Sequence, residues 1–176
     1  MRQSIVSALS QMKTQKGDLL KDLANGHPLM VVFLRHFGCI FCMEAMRDIA
    51  KERDSIEGKG IQICFVHMAS NEIAESYFKE YDLEGVDHVT DPECNYYEQF
   101  GLIKGNFGQL FGLQVWLRTA QLAVKDISQL RRKQIGDGFQ MPGVFLIKGE
   151  SVLNEYIHNR ASDRPDYMGL IKVLDQ

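Results

Sequence analysis

The sequence predicts an α/β fold in which a mixed central sheet carries helices on both of its faces. Apolar runs rich in β-branched and aromatic residues alternate with amphipathic segments, which is typical of parallel strands joined by helical crossovers. Near the C-terminus, residues 143–158 instead resemble two strands joined by a glycine-containing turn, so an antiparallel hairpin completes the sheet. The chain has 176 residues, the length of one domain, and we expect a single domain over residues 1–176.

The first part of the chain predicts a helical extension, a buried strand and a helix. Apolar side chains fall at helical spacing over residues 3–24, so we expect one or two amphipathic helices within an N-terminal extension of about residues 1–25. The run 29-LMVVFLR-35 is apolar almost throughout, as in a strand that is covered on both faces. Gly38 ends this segment, and apolar residues three or four apart then predict a helix over residues 39–53.

The middle of the chain repeats this alternation of strand and helix. Residues 61–68 predict a second buried strand, and Asn71 is expected to cap a helix over residues 72–81. A short strand is expected at residues 86–89. The next helix is expected over residues 91–100, because an Asp-Pro pair at its start supplies a capping residue and a first-turn proline.

A helical insertion of about residues 103–135 precedes the C-terminal hairpin. Residues 102–118 are very apolar but are interrupted by glycines, and a helix is expected over residues 119–130. We expect the stretch 102–118 to pack in the core of the insertion. The alternatives are the wall of a pocket for a lipid-like substrate and the contact face of a homodimer. After the hairpin, Pro165 and Asp166 predict the start of the last helix.

The composition limits the compartment and the partners. Apolar residues make up 45% of the chain, charged residues 24%, and the net charge is −3 with scattered basic residues, so nucleic acid is not an expected partner. No apolar run approaches the roughly 20 residues that span a bilayer, and Ser, Gln and Lys interrupt the N-terminal apolar residues, so we expect neither membrane insertion nor a secretory signal. We therefore expect a cytoplasmic protein. Its four cysteines are then more typical of redox or metal chemistry than of structural disulfides.

The pair Cys39 and Cys42 stands where a buried strand gives way to a helix. Free backbone N–H groups at a helix N-terminus stabilise negative charge, so we expect a lowered pKa for Cys39. A spacing of three on a helix brings the two sulfur atoms close enough to form a disulfide. Cys39, expected to be the more exposed, would attack a substrate, and Cys42 would then close the disulfide. The nearby positive charge of Arg35 and His36 favours the thiolate.

Other interpretations of the cysteines remain open. Cys39 and Cys42 could be small core residues, or they could form half of a zinc site that Cys64 and His67 complete. Because residues three apart in a strand point to opposite faces, Cys64 and His67 should not reach one metal ion, and we expect no metal site. Cys64 is expected to be a core thiol. Cys94, in the first turn of a predicted helix, should gain some stabilisation of its thiolate, although a bystander role is favoured.

Met141 and Pro142 give a second indication of the fold, in addition to the cysteine pair. A proline directly before a buried strand, about a hundred residues after a C-x-x-C pair, suits a thioredoxin-like fold, in which a cis-proline lies against the cysteines. The backbone of the residue before it then contacts substrate. The alternative is an ordinary trans-proline at the first residue of a strand.

Four segments together resemble the peroxiredoxin-like AhpC/TSA family, in the branch that includes prostamide/prostaglandin F synthase and relatives of selenoprotein L. They are 33-FLRHFGCIFC-42, the stretch from Thr90 to Leu102, 141-MPGVFLI-147 and 161-ASDRP-165. The resemblance implies a thioredoxin-like fold, reduction of small-molecule peroxides by a dithiol/disulfide cycle, a thioredoxin-like reductant and no tightly bound cofactor. Cys39 and Cys42 would be catalytic, and Arg35, His36, Met141 and Pro142 would contact the substrate.

The sequence departs from the family at two positions of the peroxide pocket. Peroxiredoxins typically carry P-x-x-x-T-x-x-C, whereas this chain has Val32 for the proline and His36 for the threonine. The candidates for a catalytic arginine are Arg35, Arg160 and Arg164. Three hypotheses follow: a thiol peroxidase, a protein disulfide reductase without peroxidase activity, and a non-catalytic redox-sensing or zinc-binding module.

Overall fold

The computed structural model describes residues 2–125 and 133–175, and within this part of the chain five strands form one mixed sheet. The spatial order is β3-β2-β1-β4-β5, with β1, β2 and β3 parallel and β4 and β5 each antiparallel to its neighbour. This arrangement confirms the predicted α/β class and the C-terminal hairpin. The strands are β1 (Leu29–Phe33), β2 (Gln62–His67), β3 (Asp87–Thr90), β4 (Gly143–Lys148) and β5 (Ser151–Ile157).

The helices follow the predicted order, with bounds that differ at several ends. The N-terminal extension forms two helices, and the helix expected over residues 119–130 begins six residues earlier; its predicted end lies outside the described residues. The helices are α1 (Arg2–Leu9), α2 (Leu20–Gly26), α3 (Ile40–Glu57), α4 (Asn71–Glu80), α5 (Asn95–Gln99), α6 (Phe107–Phe111), α7 (Leu113–Lys125) and α8 (Tyr167–Ile171), and a 3₁₀ turn (Lys172–Asp175) follows α8.

Two apolar cores lie on opposite faces of the sheet, and β1 contributes to both. Met30 and Val32 pack towards α3, α4 and α8, whereas Val31 and Phe33 pack towards α1, α2 and α5. Side chains of a strand alternate between the faces, so a strand with a core on each side has to be apolar at every position. This requirement explains the uninterrupted apolar run that begins at Leu29.

The helix after β3 begins later than the sequence predicts. Pro92 does not open it; Cys94 precedes the first helical residue with a left-handed backbone, φ 58°, and α5 starts at Asn95. The Asp91 carboxylate still caps the helix, because it accepts backbone hydrogen bonds from Asn95 at 3.0 Å and from Tyr96 at 2.7 Å. The capping residue was therefore identified, but its side chain reaches across an intervening turn.

The stretch 102–118 does not pack as a core, so that prediction is wrong. Phe107, Leu113 and Trp116 expose 73%, 76% and 66% of their surface. Only a narrow stripe of α6 and α7, which includes Leu110 and Val115, is buried against the rest of the domain. A short helix that rests on one larger helix can bury one side only, and its other apolar side chains remain in contact with water.

A buried histidine pair connects the ends of β2 and β3. His67 Nε2 lies 2.9 Å from His88 Nδ1, so one neutral imidazole donates to the other. The rings of Phe37 and Phe78 pack around His67. Burial lowers the pKa of His67 to about 3 and that of His88 to about 4. Both side chains are therefore neutral in the folded protein at pH 7.

We expect the free energy of unfolding to decrease as the pH falls from 7 to 5. Below about pH 6.5 the histidines of the unfolded chain bind protons while the buried pair does not, so acid favours unfolding by up to about 1.4 kcal/mol per pH unit for each of the two. Urea unfolding at several pH values measures this slope. His88→Gln should reduce the slope, whereas the matched change of the exposed His27 to Gln should not. Equal slopes in wild type and His88→Gln would contradict the assignment.

Candidate active site

Cys39 and Cys42 meet at the start of α3, as the sequence predicts. Cys39 is the residue that precedes the first helical turn, and its carbonyl accepts the backbone N–H of Met43 at 3.0 Å. Gly38 turns the chain into this position with φ +88°, and a Cβ there would collide with the carbonyl of Lys133. Only glycine therefore suits the residue before Cys39, both for its left-handed backbone and for the close approach of the loop at residues 133–142.

The two thiols differ little in exposure, contrary to expectation. Cys39 exposes 6% and Cys42 4% of their surface. They differ in what they face. Cys39 lines an open cavity of about 360 Å³, together with residues of α6, α7 and the loop at residues 133–142, and Cys42 is not among its lining residues. Of the two cysteines, Cys39 is therefore the one beside a space that could hold a small molecule.

The environment of the pair shifts the pKa of Cys39 down and that of Cys42 up. A hydrogen bond from the Cys42 side chain holds the pKa of Cys39 well below its ordinary value, and the charges of Arg35 and His36 lower it further, against the opposing effect of burial. Burial and the neighbouring Cys39 raise the pKa of Cys42 well above its ordinary value. The helix N-terminus, which was the predicted cause, contributes through the backbone N–H of Cys42 and is a smaller influence than the Cys42 thiol.

Arg35 joins Cys39 to the loop at residues 133–142. Its Nη1 lies 3.5 Å from Cys39 Sγ, and its Nε and Nη2 both donate to the carbonyl oxygen of Gly138, Nε at 2.8 Å. Its backbone N–H also donates to Cys42 Sγ at 3.3 Å. A planar guanidinium suits this task because its donors point in fixed directions and its charge is permanent.

The other candidate arginines lie elsewhere. Arg164 binds the Asp48 carboxylate with two hydrogen bonds of 2.6 and 2.7 Å. The exposed Arg160 uses its backbone N–H to bind Asp163. Of the three candidates for a catalytic arginine, Arg35 is the one for which the described part of the chain shows a contact with Cys39.

His36 also belongs to the cavity beside Cys39. It is buried rather than solvated, and its Nδ1 lies 2.9 Å from the carbonyl oxygen of Phe37. The loop at residues 133–142 covers it, since Phe37 and Ile135 exchange two backbone hydrogen bonds of 3.2 and 2.9 Å. The predicted positive neighbours of Cys39 are therefore held in place by backbone pairing with a distant segment.

Pro142 lies close to the cysteines but with a trans peptide bond. No described peptide bond is cis, so the expectation of a cis-proline is wrong. Its carbonyl accepts the backbone N–H of His158 at 3.3 Å, which extends the pairing of β4 with β5 by one residue. Pro142, Cys39 and Cys42 line a small inner cavity of about 20 Å³. Met141 is buried, and its N–H donates to the carbonyl of Ile103 at 3.3 Å, so no free N–H remains there for a substrate.

The two remaining cysteines face other surroundings. Cys64 packs in the core beneath α1 and α2, whereas His67 packs on the opposite face, so the two cannot hold one zinc ion. No three described His, Cys, Asp or Glu side chains cluster closely enough to bind a metal. Burial raises the pKa of Cys64 well above its ordinary value. Burial and Asp91 raise the pKa of Cys94 to about 11, so the predicted stabilisation of its thiolate is absent.

Sequence reasoning missed one part of the cover of the site and gave the other only as an alternative. The loop carbonyl of Gly138 has no diagnostic motif. The wall formed by α6 and α7 matches the pocket wall that the apolar stretch 102–118 offered as an alternative to core packing. The apolar side chains that line the cavity include Ile40, Phe41, Phe111, Val115, Trp116 and Phe139.

We expect Arg35→Gln to raise the pH at which Cys39 becomes reactive by about one to three units, because a neighbouring positive charge stabilises a thiolate to that extent. Alkylation by iodoacetamide as a function of pH, with the modified peptide identified by mass spectrometry, measures this midpoint. Arg164→Gln is the matched control and should leave the midpoint unchanged. An unchanged midpoint in Arg35→Gln, or an equal shift in both variants, would refute the role of Arg35.

Comparisons with known proteins agree with the fold. The crystal structure of the bacterioferritin comigratory protein of Xanthomonas campestris superposes with a TM-score of 0.60 at 15% identity and covers 86% of this chain and 83% of that one. A yeast mitochondrial 1-Cys peroxiredoxin gives a TM-score of 0.62 at 9% identity, with 93% and 70% covered. A peroxiredoxin-like protein from Aquifex aeolicus gives 0.57 at 14%, with 85% and 71% covered. The thioredoxin-like fold is thereby confirmed.

The sequence comparisons give the family. A curated relative, the chloroplastic thioredoxin-like protein AAED1 of Arabidopsis thaliana, is 24% identical over 86 residues, which cover 49% of this chain and 34% of that protein. The match therefore spans about a third of the relative's length. No described helix is long and apolar enough to cross a membrane.

The family of AhpC/TSA antioxidant enzymes matches residues 48–159, a segment that begins after the cysteine pair and includes β2 to β5. Because this match covers more than half of the chain, the protein belongs to the AhpC/TSA antioxidant enzyme family.

Proposed function

We propose that this protein is a thiol peroxidase that reduces hydroperoxides through a dithiol/disulfide cycle of Cys39 and Cys42. The observation that carries the proposal is the pairing of a cysteine with a cation beside an open cavity: Cys39 Sγ lies 3.5 Å from the Arg35 guanidinium, and both residues line a cavity of about 360 Å³. A nucleophile, a group that stabilises negative charge and a path for a small substrate are thus in one place.

In the first step, the Cys39 thiolate attacks the terminal oxygen of a hydroperoxide. The new S–O bond forms as the O–O bond breaks, so Cys39 becomes a sulfenic acid and the substrate leaves as an alkoxide, or as hydroxide when the substrate is hydrogen peroxide. The leaving oxygen then takes up a proton. The Arg35 donors stabilise the charge that develops on the peroxide oxygens.

In the second step, Cys42 attacks the sulfur of the sulfenic acid. The S–S bond forms, and the hydroxyl leaves with the Cys42 proton as water. The raised pKa of Cys42 keeps it protonated until Cys39 has been oxidised. An external dithiol, such as a thioredoxin, then reduces the disulfide by exchange and becomes a disulfide itself. No tightly bound cofactor is needed in this cycle.

Burial of the reactive sulfur favours a peroxide over a protein disulfide as the oxidant. Cys39, which exposes 6% of its surface and lines an open cavity, is more accessible to a small hydroperoxide than to a folded protein. A protein disulfide would have to bring its own backbone past α7 and the loop at residues 133–142. His36 and Val32 replace the Thr and Pro that are usual in the peroxide pocket, so a protein disulfide reductase is the second candidate function. The substrate that the protein reduces, a peroxide or a protein disulfide, distinguishes the two candidates.

We expect Cys39→Ser to abolish turnover of hydroperoxide with a thioredoxin system, because the nucleophile is lost. Cys42→Ser should consume about one equivalent of peroxide and then stop, because its sulfenic acid cannot be resolved within the chain. Peroxide consumption and NADPH oxidation together measure both effects. Cys94→Ser is the control and should turn over as wild type does.

Insulin disulfide, hydrogen peroxide and an organic hydroperoxide should be offered to the same preparation with the same reductant. Reduction of insulin without consumption of either peroxide would replace the proposal by the disulfide reductase. Equal, partial losses in Cys39→Ser and Cys42→Ser would contradict the separate roles of the two thiols. Zinc bound in stoichiometric amount after dialysis of the reduced protein would favour the non-catalytic module.

A further inference from the structure

Tyr97 carries a hydroxyl into the middle of an apolar core. Its side chain is fully buried on the face of the sheet that α5 covers, and its ring packs edge-on against Phe33 with 4.9 Å between the ring centroids. The Asp91 carboxylate caps α5 and so fixes the helix that carries the ring. Because a buried hydroxyl is costly unless it is hydrogen-bonded, the partners of this one indicate what it does.

The Tyr97 hydroxyl lies where β1 and β2 end. It lies 2.5 Å from the carbonyl oxygen of Leu34 and 3.0 Å from that of Val66, so it donates mainly to Leu34. The Val66 carbonyl has another donor, because it also accepts the backbone N–H of Leu34 at 2.9 Å. The hydroxyl therefore holds the peptide group that joins Leu34 to Arg35.

The N–H of the same peptide group is directed at Cys42. It is the backbone N–H of Arg35, which donates to Cys42 Sγ at 3.3 Å. The C=O and N–H of a trans peptide point in opposite directions, so this group can accept from Tyr97 in the core on one face of the sheet and donate to Cys42 in the core on the other. Hydrogen bonds in such a chain polarise one another, and donation by the hydroxyl therefore strengthens donation to the sulfur.

Cys42 needs a donor at its sulfur when it reacts. Burial raises the pKa of Cys42 well above its ordinary value, so negative charge on this sulfur is disfavoured unless a donor stabilises it. In the resolving step the S–H proton passes to the hydroxyl that leaves the Cys39 sulfenic acid as water, while the S–S bond forms. Charge develops on the Cys42 sulfur as its proton leaves, and the Arg35 N–H is the backbone donor that faces it.

We propose that Tyr97 is a positioning residue for the attack of Cys42 on oxidised Cys39. Its hydroxyl orients and polarises the peptide group between Leu34 and Arg35, and the N–H of that group stabilises the attacking sulfur. The inference rests on the resolving role of Cys42 in the proposed function, and it gives α5 a part in that step although α5 lies on the opposite face of the sheet.

The test follows the attack of Cys42 without a peroxide, in a Cys94→Ser background. Dithiodipyridine forms a mixed disulfide with Cys39 and releases one thiopyridone; Cys42 then attacks the Cys39 sulfur, and the other thiopyridone leaves as the internal disulfide forms. The absorbance of thiopyridone measures both rates. Tyr97→Phe should slow the second release about three- to tenfold, the effect of one hydrogen bond, and leave the first release within about twofold.

Two further variants control the measurement. Tyr167→Phe is the matched control, because Tyr167 is also a buried tyrosine and lines the inner cavity beside Cys42, whereas the Leu34 carbonyl is bound by Tyr97. It should release both thiopyridones at the wild-type rates. Fluorotyrosine in place of Tyr97 keeps the ring and makes the hydroxyl a stronger donor, so the second release should be at least as fast as in wild type. This variant tests the role of the hydroxyl even if Tyr97→Phe does not fold.

The amide proton of Arg35 reports on the hydrogen-bond chain directly. Its NMR resonance should move upfield in Tyr97→Phe and also in Cys42→Ala, because each variant removes one end of the chain. Tyr167→Phe should leave this resonance unchanged. A resonance that moves in Cys42→Ala but not in Tyr97→Phe would overturn the link between the hydroxyl and the sulfur.

The outcomes separate this inference from the proposed function. An unchanged second release in Tyr97→Phe, an equal slowing in Tyr97→Phe and Tyr167→Phe, or a slower release with fluorotyrosine would overturn the role of Tyr97, whether or not the protein reduces peroxides. If the second release depends on Tyr97 and no peroxide is turned over, the peroxidase function fails and the positioning role in the dithiol pair stands.

Discussion

The coupling of the two buried thiols, in which Cys42 donates to Cys39, is the interaction on which the site depends. The pKa values of these two identical side chains, three residues apart, are shifted in opposite directions, because the donated hydrogen bond stabilises the charged form of Cys39 and disfavours that of Cys42. The same contact prepares both halves of the proposed cycle: it makes Cys39 nucleophilic and keeps Cys42 close, protonated and unreactive. Arg35 reinforces this division because its guanidinium lies beside Cys39 and its backbone N–H donates to Cys42.

Arg35 also connects the chemistry to the fold. Its side chain binds the Gly138 carbonyl, so the loop at residues 133–142 closes over the site through the residue that stabilises the thiolate. The backbone bridge between Phe37 and Ile135 and the close contact at Gly38 hold the same loop from its other side. The segment between β1 and α3, which carries Arg35 and Cys39, is therefore shaped by a segment about a hundred residues away, which explains how both cysteines can be buried at the end of a strand.

Local patterns predicted most of the fold and the reactive pair. The uninterrupted apolar run of β1 and the alternation of strands and helices follow directly from burial on both faces of a sheet, and Cys39 and Cys42 follow from their position at a strand-to-helix turn. What could not be predicted depends on contacts between distant segments. The pairing of the Pro142 carbonyl with β5 joins segments that are distant along the chain, the capping of α5 by Asp91 depends on a turn, and the exposure of Trp116 depends on how little of α7 rests on α3. The family resemblance supplied the class of chemistry but not which arginine contacts the sulfur.

The most direct test of the account is the pKa of Cys39 itself, measured from the absorbance of the thiolate at 240 nm as the difference between the wild-type protein and Cys39→Ser. The account predicts a midpoint well below the ordinary cysteine value of about 8.5, and a midpoint that rises towards that value in Cys42→Ala, because the main stabilising hydrogen bond is then missing. A wild-type midpoint at or above the ordinary value would contradict it.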